Sequence, residues 1–334
     1  MPKTLFICDE EEHPVHEGFA ESIGADFYRY TIPDYIHKQN WISRALDLRR
    51  GIKLPDYDVY LATGLSIPII KKIVKQRNKP KIIHLAASSY YSRLTLGIPR
   101  TIPRYEKPII KQLFRFVDGI IAISEFVKEE ISKVTDCPVE IVPPFIDPIL
   151  YSRLFSLKPN LDGHIIVVVG KRRGTIDIMT LIKAFEIVKK EFKDCELYII
   201  GAGHSKELEK FNGIHVTGWV DDLSPFLQKS SLFAFPGYGQ AFYLGVVEAM
   251  CAGLPALVSR YTGAKDAVKK LDKKFIRDIT PEDFAKRIIW YFDLPLDDKK
   301  WYSEKSKEIS KEFTKERKCR EFREKFELLL EKIG

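Results

Sequence analysis

One segment of the chain places a strand end, a glycine-containing turn and a glutamate at a spacing suited to binding a phosphorylated ligand. An apolar run ends at Pro236, Gly237 and Gly239 follow, and a helical pattern begins near Phe242. Backbone N–H groups at a helix start are free and the helix dipole is positive there, which favours a phosphate or a pyrophosphate. Glu248 lies further along this helix, where its carboxylate could accept hydrogen bonds from sugar hydroxyls of the same ligand. A helix packed on a sheet with a surface glutamate is the alternative interpretation.

A second candidate site is basic. Lys171, Arg172 and Arg173 come directly after Gly170, which ends an apolar strand pattern. Positive charge at this position suits a diphosphate leaving group, and the planar guanidinium of arginine can bind phosphate oxygens in pairs. The spacing does not distinguish which two of the three cations reach the ligand. A solvated basic turn is the alternative.

The elements that must position these residues alternate along the chain. Short β-branched runs are separated by amphipathic stretches, a pattern typical of parallel sheets covered by helices on both faces. The pattern restarts after a proline-rich stretch, so we predict domains at residues 1–160 and 161–334. The charged helical pattern at 301–333 could pack back on the first domain. In open α/β sheets, ligands bind beyond the carboxyl ends of the strands.

Composition limits the classes of function. The 334 residues carry a net charge of +8, which favours anionic partners without choosing among phosphates, acidic membranes and nucleic acid. No apolar run approaches the roughly 18–20 residues that span a bilayer. We expect no signal peptide, because the short apolar run at residues 4–8 is soon followed by acidic residues. The five cysteines are scattered without a C-x-x-C pair, which indicates neither disulfides nor a zinc ribbon. We therefore expect a cytoplasmic protein.

The segment at 232–255 resembles the signature of the glycogen-synthase-like (family 4 type) retaining glycosyltransferases with the GT-B fold. That signature reads Pro-Ser, a short loop, then Glu-x-Phe-Gly-Leu-x-x-x-Glu-Ala-Met-Ala-x-Gly-x-Pro. The matching residues are Pro236, Phe242, Leu244, Glu248, Ala249, Met250, Ala252, Gly253 and Pro255. The resemblance extends to residues 121–126, 139–147, 197–203 and 216–220. It implies an α/β GT-B protein with two Rossmann-like domains facing across a cleft.

The resemblance assigns roles on the donor side. Lys171 and Arg173 match in charge the two cations that the family places after the strand that ends at Gly170, so we expect them to stabilise the leaving diphosphate, with Arg172 binding the donor.

The resemblance also implies that Glu248 binds the ribose of a UDP- or GDP-linked sugar, that the amides around Tyr243 and Leu244 hold the pyrophosphate, and that Val220 lies beside the nucleobase. Two positions depart from the family pattern. Gln240 replaces the glutamate that touches the transferred sugar, and it can orient hydroxyls but cannot stabilise positive charge. Tyr243 replaces a glycine, so we expect a tighter approach to the phosphates.

On the acceptor side the resemblance implies a histidine near the end of a first-domain strand and an acceptor loop after the first strand. His84 and His16 are the candidates, although His84 lies about two residues from the family position and a core histidine is the alternative. A metal site at His13 and His16 is disfavoured, because Pro14 interrupts the helix and no tetrahedral set is completed. We expect no metal and no cofactor, since the nucleotide sugar is a substrate.

The resemblance therefore implies a metal-independent hexosyltransferase that acts with retention on a sugar, lipid or protein glycan acceptor. A non-catalytic nucleotide-sugar-binding subunit and another GT-B enzyme, such as a sugar-nucleotide epimerase, are the alternatives. Two segments at 71–81 and 90–115 are rich in basic residues, and in the second these alternate with apolar and aromatic ones; such a surface could bind an anionic membrane at its inner face. Ordinary solvated helix faces explain the same pattern equally well. No nucleic-acid-binding motif is present.

Overall fold

The computed structural model describes residues 2–8, 13–29, 54–63, 73–76, 78–88, 111–112, 114–172 and 175–334. Two compact units are present. The first comprises Met1–Pro144 together with Lys315–Gly334, and the second comprises Phe145–Thr314. Each unit is described by itself below, with strands and helices numbered in chain order.

In the first unit the described strands form a parallel sheet in the order β2-β1-β3-β4-β5-β6. Their bounds are β1 Thr4–Cys8, β2 Asp26–Arg29, β3 Val59–Thr63, β4 Lys81–Ala86, β5 Gly119–Ala122 and β6 Val139–Ile141. The described helices of this unit are α1 Pro14–Ser22, α2 Glu125–Ile131 and the C-terminal α10 Lys315–Ile333. The central strands are buried on both faces, as their near-continuous apolar runs predict.

The C-terminal helix α10 completes the core of the first unit. Its Phe322 ring stacks on Phe19 of α1 with centroids 4.3 Å apart. Leu329 packs where a Cβ on Gly119 of β5 would come within 3.0 Å of its side chain. Arg323 donates to the carbonyl of Ser22 at 2.6 Å. The apolar stripe of α10 is therefore buried against α1 and the sheet of this unit.

The second unit contains a parallel sheet in the order β12-β11-β10-β7-β8-β9. Its strands are β7 Ile165–Val169, β8 Glu196–Ile200, β9 Ile214–Gly218, β10 Leu232–Phe235, β11 Ala256–Ser259 and β12 Ile276–Arg277. Its helices are α3 Pro148–Phe155, α4 Ile178–Glu191, α5 Ser224–Lys229, α6 Leu244–Cys251, α7 Lys265–Leu271, α8 Pro281–Phe292 and α9 Leu296–Ser310. Asp177 and Thr280 cap α4 and α8 by accepting from backbone N–H groups.

The division between the units differs from the predicted boundary at residue 160. Helix α3 lies before that boundary in sequence yet packs on α6 of the second unit. The Cys251 thiol donates to the carbonyl of Tyr151 at 3.6 Å, and the Lys307 ammonium donates to the carbonyls of Phe155 and Leu157. These tertiary contacts place residues 145–160 in the second unit, which the proline-rich stretch alone does not indicate.

Candidate functional site

The topology of the second sheet places two loops side by side at its carboxyl edge. The chain forms β7 first, continues outward through β8 and β9, then returns to form β10 on the other side of β7. The strand order therefore reverses between β7 and β10, and doubly wound sheets bind ligands at such a reversal. The basic loop that begins at Gly170 follows β7, and the turn leading to α6 follows β10. The two candidate sites predicted from sequence thus meet at one place.

The start of α6 is held in an unusual conformation. Tyr243 precedes the helix with a φ of 77°, in the left-handed region, and no side chain caps the helix in the described structure. Its ring stacks on Phe235 at the end of β10, with centroids 3.9 Å apart, and its hydroxyl donates to the carbonyl of Val169. The ring is therefore directed to the ends of β10 and β7. The expected narrowing of the phosphate approach by this side chain stays a prediction.

Phe242 and Leu244 flank Tyr243 and differ in exposure. Phe242 is buried, its ring lies 5.7 Å from that of Phe313, and its carbonyl accepts from the hydroxyl of Thr262. Leu244 is half-buried as the first residue of α6. The Phe242 side chain therefore anchors the turn in the core.

Glu248 is the fifth residue of α6 and lies half-buried. Burial raises the pKa of its carboxyl group from 4.5 to about 7. Within the described residues no side chain or backbone group hydrogen-bonds this carboxylate. A desolvated carboxylate without a partner is costly, so hydroxyl donors from a ligand would be bound strongly here.

The basic loop starts with a backbone that only glycine adopts readily. Gly170 has a φ of 149°, and a Cβ on Gly201 would lie 2.3 Å from the Gly170 carbonyl oxygen. The Arg172 amide donates to the carbonyl of Ala202 at 2.9 Å. The side chains of Lys171 and Arg172 are exposed. The remaining cation of the sequence prediction, Arg173, lies outside the described residues.

Gln240 is fixed by contacts on both sides. Its side-chain amide donates to the Thr175 hydroxyl at 2.6 Å, just beyond the basic loop. Its backbone N–H donates to the carbonyl of Tyr261, and its carbonyl accepts from the N–H of Gly263. The structure thus holds Gln240 between the loop after β7 and the loop after β11. A fixed neutral amide can orient hydroxyl groups of a bound sugar.

Val220 is half-buried and lies two residues beyond β9, the edge strand of the second sheet. The neighbouring Trp219 is exposed, and its indole N–H donates to Asp221 at 3.1 Å. Two strands separate this position from β10 in the sheet order. Val220 therefore lies on the same carboxyl edge as the basic loop but away from the strand reversal.

His84 is a core residue of the first unit. It is 1% exposed on β4, its Nδ1 lies 3.0 Å from the carbonyl oxygen of Ala62, and its ring lies edge-on to Phe114. Because a carbonyl only accepts, Nδ1 carries the proton of this hydrogen bond. Burial lowers the pKa of His84 to about 4. The geometry favours the core alternative over an acceptor contact.

His16 is also buried, in the first turn of α1. Its ring stacks on His13 at 3.7 Å and its Nδ1 lies 3.4 Å from the Cys8 sulfur. Burial, with a smaller effect from His13, lowers the pKa of His16 to about 3. Both candidate acceptor histidines are therefore neutral near pH 7 and enclosed by the first unit.

Several residues named in the predictions from sequence lie outside the part of the chain that the structure describes. Residues 9–12 of the acceptor loop, residues 71, 72 and 77 of the first basic segment, and most of the second basic segment at 90–115 lie outside the described residues. Across the described ranges no group of three or more His, Cys, Asp and Glu side chains could hold a metal ion. No helix among them is both long and apolar enough to cross a membrane.

The sequence analysis does not identify two residues that lie near the candidate site. His204 follows β8 and contacts the Gly170 carbonyl with its Nε2, 2.7 Å away, and Thr175 holds Gln240. A histidine directly after the Gly-x-Gly of residues 201–203, at a strand end, is a signal that could have indicated the first. The contact of Thr175 spans 65 residues of sequence, and no local pattern indicates it.

Comparisons with known proteins assign the class. Residues 4–149 match the model for "Glycosyltransferase Family 4", and residues 163–293 match the model for "Glycosyl transferases group 1". An uncharacterised glycosyltransferase of Methanocaldococcus jannaschii is 26% identical over 281 residues, which are 75% of this chain and 69% of the relative. With glycosyltransferase models matching both halves, the chain is a glycosyltransferase of the two-domain α/β GT-B class.

Solved structures agree on the fold. A glycosyltransferase from Rickettsia africae superimposes with a TM-score of 0.71 at 14% identity, covering 98% of each chain. HepE of Anabaena, in a complex with UDP and glucose, superimposes with a TM-score of 0.69 at 12% identity, covering 99% of this chain and 100% of HepE. The predicted fold class is confirmed.

Proposed function

We propose that this glycosyltransferase moves a hexose from a UDP- or GDP-linked sugar to an acceptor hydroxyl, with retention of configuration and without a metal. The observation that carries the proposal is the half-buried Glu248 carboxylate, which lacks a partner among the described residues and lies on the helix beginning at the strand reversal. Two adjacent ribose hydroxyls are suitable donors to its two oxygens. The similarity to HepE, whose structure contains UDP and glucose, supports a nucleotide sugar as donor.

The remaining donor-site residues bind different parts of the nucleotide sugar. The backbone amides at Tyr243 and Leu244 bind the pyrophosphate at the positive end of α6. Val220 lies beside the nucleobase at the outer part of the same edge. Gln240, fixed on Thr175, orients hydroxyls of the transferred sugar.

Lys171, Arg172 and Arg173 act on the leaving group. As the bond between the anomeric carbon and the diphosphate oxygen breaks, the leaving diphosphate gains negative charge, and nearby cations stabilise that charge. The acceptor oxygen forms its bond to the anomeric carbon on the face that the diphosphate leaves, and its proton passes to a diphosphate oxygen. The protein contributes positioning and electrostatics in this scheme, and no covalent intermediate is formed.

The acceptor is a sugar, a lipid or a protein glycan, bound by the first unit. Since His84 and His16 are buried, we place the acceptor contacts on the segments that follow β1 and β4. We propose a cytoplasmic location, with the basic segments 71–81 and 90–115 binding the inner face of an anionic membrane.

A thermal-shift screen with UDP, GDP, ADP and their glucose and mannose derivatives tests the donor class. One nucleotide series should raise the unfolding temperature, because a ligand that binds only the folded state stabilises it. The selected nucleotide sugar should then be turned over. Stabilisation by none of them would contradict the donor site, and binding without turnover against sugar, lipid and glycoprotein acceptors would favour the non-catalytic subunit.

The paired variant Lys171→Ala with Arg172→Ala tests the leaving-group role. It should lower turnover by about 100-fold, in line with the loss of other groups that stabilise transition-state charge. The exposed pair Lys193→Ala with Lys286→Ala is the matched control for net charge. Equal turnover in the two double variants would favour the alternative interpretation, in which the loop is a solvated basic turn.

A further inference from the structure

Two consecutive carbonyl groups at the end of β7 each accept a hydrogen bond from a side chain of a neighbouring loop. The Tyr243 hydroxyl, from the turn after β10, donates to the Val169 carbonyl. The His204 imidazole, from the loop after β8, has its Nε2 2.7 Å from the Gly170 carbonyl oxygen. The start of the basic loop is therefore held by side chains from the loops that follow both neighbouring strands, β10 and β8.

The hydrogen bond between His204 and the Gly170 carbonyl shows which ring nitrogen of His204 carries a hydrogen. A carbonyl oxygen only accepts, so Nε2 must carry a hydrogen in this contact. The same loop is also bound through its backbone, because the Gly170 amide donates to Ile200 at 2.8 Å and the Arg172 amide donates to Ala202. The Gly170 carbonyl that His204 contacts also lies against Gly201, where a Cβ would come within 2.3 Å of its oxygen.

Tyr243 holds its position at a conformational cost. A left-handed φ is unfavourable for an aromatic residue and persists where the surroundings fix it. Here the ring is fixed by the stack on Phe235, and it also lies where a Cβ on Gly170 would come within 2.9 Å of its hydroxyl oxygen. Tyr243 is strained, lies at the candidate site and uses its hydroxyl to bind the carbonyl at the end of β7. This combination indicates that the position of that strand end matters for function.

We propose that His204 and the Tyr243 side chain are positioning residues for the basic loop. By holding the Gly170 and Val169 carbonyls, they fix the direction in which Lys171 and Arg172 leave β7, so that the two cations reach the donor diphosphate. This proposal rests on the proposed function, because it requires a nucleoside diphosphate at the strand reversal. It adds a role for His204, whose side chain acts through the loop.

Binding of a nucleoside diphosphate compared with its nucleoside tests the proposal. Isothermal titration of UDP and uridine, or of the GDP and guanosine pair if the screen selects it, separates the phosphate contribution from that of the base and ribose. In His204→Ala and in Tyr243→Phe, the affinity for the diphosphate should fall by about tenfold, while the nucleoside affinity stays unchanged. His204→Gln should recover most of the loss, because its amide N–H can donate to the same carbonyl.

The matched control is His164→Gln, which changes the same residue type just before β7, at the opposite end of the strand. His164 pairs with Asp194 at 2.8 Å there. The control should lower thermal stability without changing the ratio of diphosphate to nucleoside affinity. An unchanged ratio in both His204→Ala and Tyr243→Phe, with diphosphate binding intact, would overturn the positioning role. Failure of the parent protein to bind any nucleoside diphosphate would instead overturn the proposed function.

Discussion

Glu140 is buried in the first unit and Glu248 is half-buried in the second, yet their surroundings shift the pKa values of the two carboxyl groups in opposite directions. Burial alone would raise the pKa of Glu140, but hydrogen bonds and charge from Lys332 and Lys325 hold it below 4.5. The Lys325 ammonium lies 2.9 Å from one carboxylate oxygen, and Lys332 binds the other. Glu248 has no such partner among the described residues, and burial raises its pKa to about 7.

The difference separates a structural carboxylate from a candidate binding carboxylate. Glu140 on β6 is satisfied by two cations of α10, so it fastens the C-terminal helix to the sheet edge of the first unit. Glu248 bears a desolvation cost that nothing described in the second unit offsets. Groups kept in an unfavourable state are concentrated at functional sites, where a ligand supplies the missing interactions.

The largest expected effect on stability is a gain from Glu248→Gln at pH 8. A pKa raised from 4.5 to about 7 corresponds to a cost of up to about 3 kcal/mol for the ionised folded protein. The folded state binds more protons than the unfolded state between these values, so the cost is absent below pH 4.5 and complete above pH 7. Since glutamine still buries an amide, we expect chemical denaturation to show a gain of about 1–2 kcal/mol at pH 8.

The same variant should show almost no gain at pH 4.5, where the parent carboxyl is neutral. Glu248→Gln should also weaken nucleoside diphosphate binding, so stability and binding change in opposite directions. A loss of stability at pH 8 would mean that the carboxylate has a stabilising partner, and the contrast with Glu140 would fail.

Glu140→Gln should lower the stability of the folded protein, and by less than Glu248→Gln raises it. The lowered pKa means that Glu140 stabilises the folded state above pH 4.5, and that this contribution is lost as the pH falls through its folded-state pKa. The lysine side chains are 38% and 47% exposed and can return to water, so we expect a loss of only about 1 kcal/mol at pH 7. Chemical denaturation of the variant measures the loss, and nucleotide binding should stay unchanged. A gain in stability would show that the lysines do not offset the burial of Glu140.

The sequence predicts the features that depend on neighbouring residues. The strand at Lys81–Ala86 and the turn into α6 follow from apolar runs and glycine spacing, and the structure places the loop that begins at Gly170 and the turn that leads into α6 at one edge of one sheet. The sequence does not predict which side chains of a strand point to the core, because parallel strands buried on both faces show no alternation of apolar and polar residues. His84 therefore could not be separated from a ligand-facing residue by pattern alone.

Features that depend on distant parts of the chain are not encoded in a local pattern. The contact of His204 with Gly170 joins residues 34 apart in sequence, and helix α3 is assigned to the second unit only by its packing on α6. The short strand β2, whose residues are half-buried or exposed, has no apolar run that would predict it. Tertiary packing decides these features, and single-sequence patterns do not contain it.

The central claim is that Glu248 binds the donor in its ionised form. Isothermal titration with the nucleotide sugar that the screen selects, UDP-glucose or its GDP or ADP counterpart, measures this at pH 6 and pH 8 in buffers of different ionisation enthalpy. The phosphates of a nucleotide sugar keep their charge over this range, so a pKa of about 7 predicts roughly tenfold tighter binding at pH 8 and release of about one proton per ligand at pH 6. Glu248→Gln should bind weakly at both pH values without proton release. Equal affinity of the parent protein at pH 6 and pH 8, with no proton released, would contradict the account.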